Sequence, residues 1–356
     1  MPSGGRTVMM TMQAFFSDDQ LLHDPQQYMR VGRICKPADL PTRAEALQRA
    51  LAARGITVSV PREAGREALE QVHATDYLDY LESAFERWQK IESFGLQPGI
   101  EVLPNMSPHG TRQGVCPSPS VLAQTGWYVG DLSCPIGPNT WRSVLRSAHA
   151  ALAAAETVRE TGGVAYALCR PSGHHAQRAR AAGFCYVNNS AIAAATLRQT
   201  HARVAVLDID AHHGDGTQQI FYERSDVLTV STHADPSNYY PWYTGYAHER
   251  GTGEGEGFNL NLPLAHGSGN AEFAQALDQA VAAIERFQPQ ALVLPLGFDT
   301  YKDDPISVLK FDMEAFRLAG ARVRALGLPS VVVQEGGYMV EAIGGALDAF
   351  LEGLNA

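Results

Sequence analysis

The densest chemistry in the sequence lies at residues 204–216, VAVLDIDAHHGDG, where an apolar run leads straight into Asp208, Asp210, His212, His213 and Asp215. Burying unpaired carboxylates is costly, so acids at the end of a buried strand need a cation or hydrogen-bond partners. Asp210 and His212 are two residues apart; in extended backbone they point to one side and can hold a single ion. A solvated acidic turn is the alternative for an isolated Asp-x-His. The apolar run before it and the second carboxylate beside it count against that. Residues 292–299, LVLPLGFD, end another hydrophobic run in a lone carboxylate, Asp299. Two Asp and one His leave positions open for water and substrate, as a catalytic metal site requires. A metal there acts as a Lewis acid and lowers the pKa of its bound water from 15.7 toward about 7.

Two further segments end strand-like runs in reactive side chains. In RPSGHHA, residues 170–176, the adjacent His174 and His175 are surface residues, ligands, or a general base with its electrostatic partner. Asp208 and Asp215 are natural orienters for ring nitrogens facing away from a substrate. In VVVQEGGY, residues 331–338, a Gly-Gly turn can push the Tyr338 hydroxyl into a cleft. There it can donate to the oxyanion formed when water attacks an amide carbonyl. A tyrosine at such a place is also an ordinary core residue.

The elements that must position these groups alternate. Residues 164–169, 204–210, 227–231, 291–297 and 330–334 read as buried strands. Helical patterns cover 41–54, 64–88, 142–161, 189–200, 216–223, 271–287, 312–326 and 341–354. This alternation predicts a mostly parallel sheet covered on both faces, with the site at the carboxyl ends of its strands. Two segments break the rhythm. Residues 95–139 are rich in Pro, Gly and Ser with no sustained period, which predicts a functional loop, an oligomer contact or a flexible insertion. Residues 234–257 carry Tyr239, Tyr240, Trp242, Tyr243 and Tyr246, then GTGEGEG; such loops line binding sites or pack on the sheet.

Composition narrows the class. The 356 residues are 45% hydrophobic, enough for a sizeable core. Net charge is -10, from 28 Lys and Arg against 38 Asp and Glu, and no basic stretch interleaved with aromatics argues for nucleic acid. No apolar run reaches the roughly 18 residues of a membrane span, and the start, residues 1–13, has no leader pattern, so a cytoplasmic protein is expected. Five cysteines without a C-x-x-C pair point to reduced thiols. A dinucleotide-binding protein is disfavoured, because no G-x-G-x-x-G opens a helix after an early strand.

Taken together, RPSGHHA, GFCYVNN, LDIDAHHGDGT, VSTHADP, LGFDT and QEGGY resemble, in order and spacing, the histone deacetylase and acetylpolyamine amidohydrolase family across nearly the whole chain. The resemblance implies a single α/β domain over residues 1–356 with the arginase/deacetylase fold: a central, mostly parallel sheet of about eight strands flanked by helices. It implies a zinc-dependent deacetylase with Asp210, His212 and Asp299 as ligands to one zinc. His174 and His175 would be the catalytic pair, oriented by Asp208 and Asp215, and Tyr338 would polarise the carbonyl. It also implies structural potassium at Asp208, Asp210, His212, Ser231 and Thr232, and a second monovalent site near Phe221, Arg224, Val227 and Phe258. Phe184 and Tyr240 would wall a substrate tunnel shaped by Gly173 and Gly336. Gly214 and Tyr301 stand where the dimetal arginase branch carries further acids, which predicts a mononuclear site.

THADPSNYYPWYTGY and the 95–139 segment look like the acetylpolyamine branch. Acetylated putrescine, cadaverine, spermidine or spermine is then the expected substrate, and the loop would support a homodimer. The alternative is a lysine deacetylase acting on proteins or peptides. A non-catalytic binder on the same scaffold would be expected to lack a ligand, the histidine pair or Tyr338, and none is missing. For the distal ammonium of a polyamine, the second half of the loop offers only Asp131; Glu101, Asp18 and Asp19 are further candidates.

Overall fold

The computed structural model describes residues 12–92, 95–108 and 114–355. Most of the expected leaderless start, and residues 109–113 of the irregular segment, lie outside them. The strands are β1 (Gln13–Phe15), β2 (Tyr28–Arg30), β3 (Arg33–Cys35), β4 (Val58–Ser59), β5 (Val164–Ala167), β6 (Val204–Asp208), β7 (Val227–Ala234), β8 (Asn259–Leu264), β9 (Ala291–Leu296) and β10 (Ser330–Gln334). Eight of them form one sheet in the order β4-β1-β5-β10-β9-β6-β7-β8, and β2 and β3 make a separate hairpin. Every neighbouring pair in the large sheet is parallel.

The central strands are apolar without alternation because both faces are covered. Val204, Val206, Val293, Val331 and Val333 point into one core, against Ala-rich helices Thr140–Thr161 and Asn189–Arg198. Their neighbours Ala205, Leu207, Leu292, Leu294, Leu296 and Val332 point into the other, against helices Pro41–Ala53, Asn270–Phe287, Met313–Leu326 and Val340–Asn355. Because β5, β10, β9 and β6 lie side by side and run the same way, the loops after them open at one end of the sheet. Those four loops carry His174 and His175, Tyr338, Asp299, and Asp210 with His212. Among the described residues no helix is long and apolar enough to cross a membrane.

Three sheet strands escape the sequence reading. β1 and β4 are too short to show a period, and β8 hides its pattern by burying Asn259 and Asn261, whose amides donate to Gln218 Oε1. The helix expected over 64–88 is two, Glu67–Glu70 and Thr75–Trp88. Between them His73 and Ala74 turn to bond the Gln177–Arg178 main chain. Part of the 95–139 segment is ordered: it contains helix Val121–Tyr128 and bridges Val102 to Ile136 and Val129 to Ala181.

Candidate active site

Asp210, His212 and Asp299 each present a ligand atom to a common point, all within 4.8 Å of one another, and all three residues are buried. Asp210 and His212 lie just beyond the end of β6 rather than within it. Main-chain donors aim the carboxylates. Asp210 accepts from His212 N at 2.9 Å and from Gly336 N at 2.8 Å, and Asp299 accepts from Ala211 N at 3.0 Å. The His212 imidazole Nδ1 lies 2.9 Å from Asp299 Oδ2 and 3.2 Å from Asp210 Oδ1. Gly336 has to be glycine, since a β-carbon there would overlap the Asp299 and Asp210 carboxylates. Burial and then the Asp210 charge push Asp299 up to about 6. Two buried carboxylates around one imidazole form a negative pocket that a divalent cation neutralises, so the donor set fits a metal. Among the described residues this is the one such group. Tyr239 stacks on His212 at 4.6 Å and 12°, fixing the ring plane, while its hydroxyl donates to Ile306 O at 2.6 Å.

The histidine pair sits beside this triad with rings 4.1 Å apart. His175 Nδ1 is 2.7 Å from Asp215 Oδ1, and His174 Nδ1 is 2.9 Å from Asp208 Oδ2. Burial raises Asp215 to about 6, so near neutral pH it is ionised and can only accept. Nδ1 of His175 is then the donor, which leaves Nε2 with a free lone pair. Burial, then His174 and His212, hold His175 well below its usual range, so it is a neutral base. His174 behaves oppositely: burial lowers it, but the Asp208, Asp210 and Glu335 carboxylates together hold it well above. A bound cation offsets part of that field.

Tyr338 is half-buried, its ring edge-on to Phe184 at 5.9 Å and capped by the Arg43 guanidinium at 4.7 Å. Burial pushes its phenol well above the usual value, which keeps it a proton donor. Tyr240 packs edge-on to His175 at 4.9 Å. Phe184 and Tyr240 thus flank Tyr338 and His175. Gly173 N donates to Glu335 Oε2 at 2.7 Å and fixes the histidine loop. Ser231 pairs in register with Asp208, and the Thr232 hydroxyl is buried without a hydrogen-bond partner. Phe221, Arg224, Val227 and Phe258 gather where helix Asp215–Phe221 turns into β7: Arg224 N donates to Phe221 O at 2.9 Å and Thr229 N to Phe258 O at 3.0 Å.

Several residues that brace the site were not singled out in the sequence. Glu335 accepts from Gly173 N, His174 N and Ser190 Oγ, binding the histidine loop to β10. Asp304 accepts from Tyr338 N at 2.6 Å and Met339 N at 3.1 Å, so it sets the tyrosine turn. Arg43 donates to Gly337 O and to Glu335 O at 2.7 Å from the far end of the chain, paired with Asp39. Of the acids considered for a distal ammonium, Glu101 is buried and accepts from Gln26 N at 2.9 Å, and Asp19 pairs with Arg142 at 2.8 Å. Asp131 is held inside the site loops.

Comparison with known proteins agrees with this geometry. The model of the histone deacetylase domain matches residues 35–354. The chain is 46% identical to the acetylpolyamine amidohydrolase of Burkholderia pseudomallei over 97% of its own length and 99% of the relative's. It is 43% identical to acetylpolyamine amidohydrolase 1 of Pseudomonas aeruginosa, over 94% and 96%. The crystal structure of the Burkholderia pseudomallei acetylpolyamine aminohydrolase superposes with a TM-score of 0.92, covering 97% of this chain and 99% of that one. With its eight-stranded parallel sheet and a candidate metal-binding triad at the strand ends, the chain belongs to the histone deacetylase domain family.

Proposed function

We propose that this protein is a zinc-dependent amidohydrolase that removes the acetyl group from acetylated polyamines: acetylputrescine, acetylcadaverine, acetylspermidine and acetylspermine. The observation that carries the proposal is the convergence of the Asp210–His212–Asp299 triad and the His174–His175 pair between Phe184, Tyr240 and Tyr338. The near full-length match to acetylpolyamine amidohydrolases supports the substrate class.

Asp210, His212 and Asp299 hold the ion, which when bound supplies Lewis acidity to the amide carbonyl and makes water a competent nucleophile near neutral pH. Neutral His175 takes the water proton on Nε2 while Asp215 steadies the imidazolium that forms. His174, on Asp208, contributes positive charge beside the reacting centre. The Tyr338 hydroxyl donates to the carbonyl oxygen as negative charge builds there. His175 then returns the proton to the leaving nitrogen, and acetate and the free amine result. Gly173 and Gly336 shape the loops that allow this approach.

Potassium belongs to the same reading, at Asp208, Asp210, His212, Ser231 and Thr232; the unpartnered Thr232 hydroxyl supports it. A second monovalent ion is assigned to the turn of Phe221, Arg224, Val227 and Phe258. A homodimer through the 95–139 segment is supported by its exposed Leu96, Ile100, Met106 and Val115. Five unpaired cysteines agree with a cytoplasmic setting.

The test is acetate release by zinc-loaded protein from N-acetylputrescine, N-acetylcadaverine, N8-acetylspermidine and an acetyl-lysine peptide, against a metal-stripped control. The polyamines are expected to give the higher kcat/KM. Preference for the peptide would make the protein a lysine deacetylase, and silence on all four would leave a binding protein.

A further inference from the structure

Asp131 sits in the second half of the irregular segment, on a stretch laced to the loop after the histidine pair. Gly130 N donates to Ala181 O at 2.7 Å, and Ala181 N donates to Tyr128 O at 2.8 Å. The Asp131 carboxylate makes four bonds. Its Oδ2 accepts from Gly183 N at 3.0 Å and from the Tyr240 hydroxyl at 2.7 Å. Its Oδ1 accepts from Ser133 N at 2.9 Å and Ser133 Oγ at 2.5 Å. An ionised carboxylate offers about four lone-pair sites, so none is left for the ammonium of a substrate.

What those bonds hold is specific. Gly183 and Phe184 have φ of 56° and 69°, two successive residues in the left-handed region, where a phenylalanine stays only if its surroundings over-determine it. A β-carbon on Gly183 would overlap the His175 ring and reach the Tyr240 hydroxyl at 2.9 Å, so turn, base and wall are in contact. A single carboxylate oxygen therefore joins the turn carrying one aromatic wall to the hydroxyl of the other.

We propose that Asp131 is a specificity-determining positioning residue: it clasps the Tyr240 wall to the Gly183–Phe184 turn, and so fixes a slot that admits a slender N-acetyl alkylamine and disfavours a bulkier acyl-amine. The proposal rests on the deacetylase reading above. It differs from an ammonium contact, because Asp131 acts through the walls rather than on the substrate.

The test compares kcat and KM for N-acetylputrescine and an acetyl-lysine peptide in wild type, Asp131→Asn, Tyr240→Phe and the double variant. In Asp131→Asn the amide cannot accept all four bonds. The kcat/KM for N-acetylputrescine is expected to fall about 10-fold, mainly through KM, as for a lost hydrogen bond to a charged group, while the peptide does not fall. Tyr240→Phe removes only the clasped hydroxyl and shifts the preference the same way; the double variant shifts it no further than Asp131→Asn alone. An equal fall for both substrates, or no change of preference in either single variant, overturns the clasp. Amide hydrogen exchange at 182–185 decides independently of turnover: faster exchange in Asp131→Asn is expected, and unchanged protection refutes it. Wild-type protein that releases no acetate would sink the deacetylase reading, while the exchange result still decides the clasp.

Discussion

The metal end and the walls of this site are built by different means. At the metal end, Asp210, His212 and Asp299 follow directly from β6 and β9, and their carboxylates are aimed by main-chain donors of Ala211, His212 and Gly336. In the walls, Phe184, Tyr240 and Tyr338 are held by side chains from distant parts of the chain: Asp131, Asp304 and Arg43. Parallel strands thus place the candidate metal ligands, and loop-to-loop hydrogen bonds place the aromatic side chains around them.

The largest effect expected on the wall side is at Tyr338. Tyr338→Phe should lower kcat by about 10² to 10³, the usual cost of one oxyanion donor, with metal content unchanged. A near-wild-type kcat would remove the tyrosine from the chemistry.

Asp304→Asn sharpens the contrast, because Asp304 Oδ2 holds the Tyr338 and Met339 amides while its Oδ1 accepts from Ile306 N. A fall of about 10-fold in kcat is expected, and little further loss in a Tyr338→Phe background, as for groups acting in series. Additive losses would mean that Asp304 has another role.

A separate effect is on stability, and it lies away from the Asp210–His212–Asp299 triad. Burial, then the Arg170 charge, holds His23 down to about 3, and burial holds His73 down to about 4. Both therefore stay neutral in the folded protein while the unfolded chain takes up their protons below the ordinary 6.5. The stability they contribute is present above pH 6.5 and is lost as pH falls from 6.5 toward 4. At pH 5 this costs roughly 2 kcal/mol per histidine. Thermal unfolding should show Tm dropping between pH 7 and pH 5, with a smaller drop in His73→Asn. A Tm flat across that range would contradict the buried neutral state.

The same division explains what could be read in the sequence. The strands ahead of the candidate ligands are continuous apolar runs followed by isolated acids and histidines, so β6, β9 and β10 were legible from pattern alone. The contacts of Asp304, Glu335 and Arg43, and the Tyr240 contact of Asp131, which the sequence offered only as an ammonium partner, were not, because the partners lie 34, 162, 294 and 109 residues away. No periodicity reports a contact of that kind. β8 was hidden for a related reason: its inward Asn259 and Asn261 are satisfied by Gln218 and Glu249, so a buried strand carries a polar pattern. Burial does not require an apolar residue when every polar group has a partner.

The most direct test of the account is a zinc titration of metal-stripped protein, following acetate release from N-acetylputrescine, with Asp299→Ala as the control. Activity should rise to a plateau at one zinc per chain, and Asp299→Ala should bind zinc at least about 100-fold more weakly and stay inactive, exceeding the 10–100-fold typical of outer partners. Activity that survives stripping, a plateau at two ions per chain, or a fully active Asp299→Ala would contradict it.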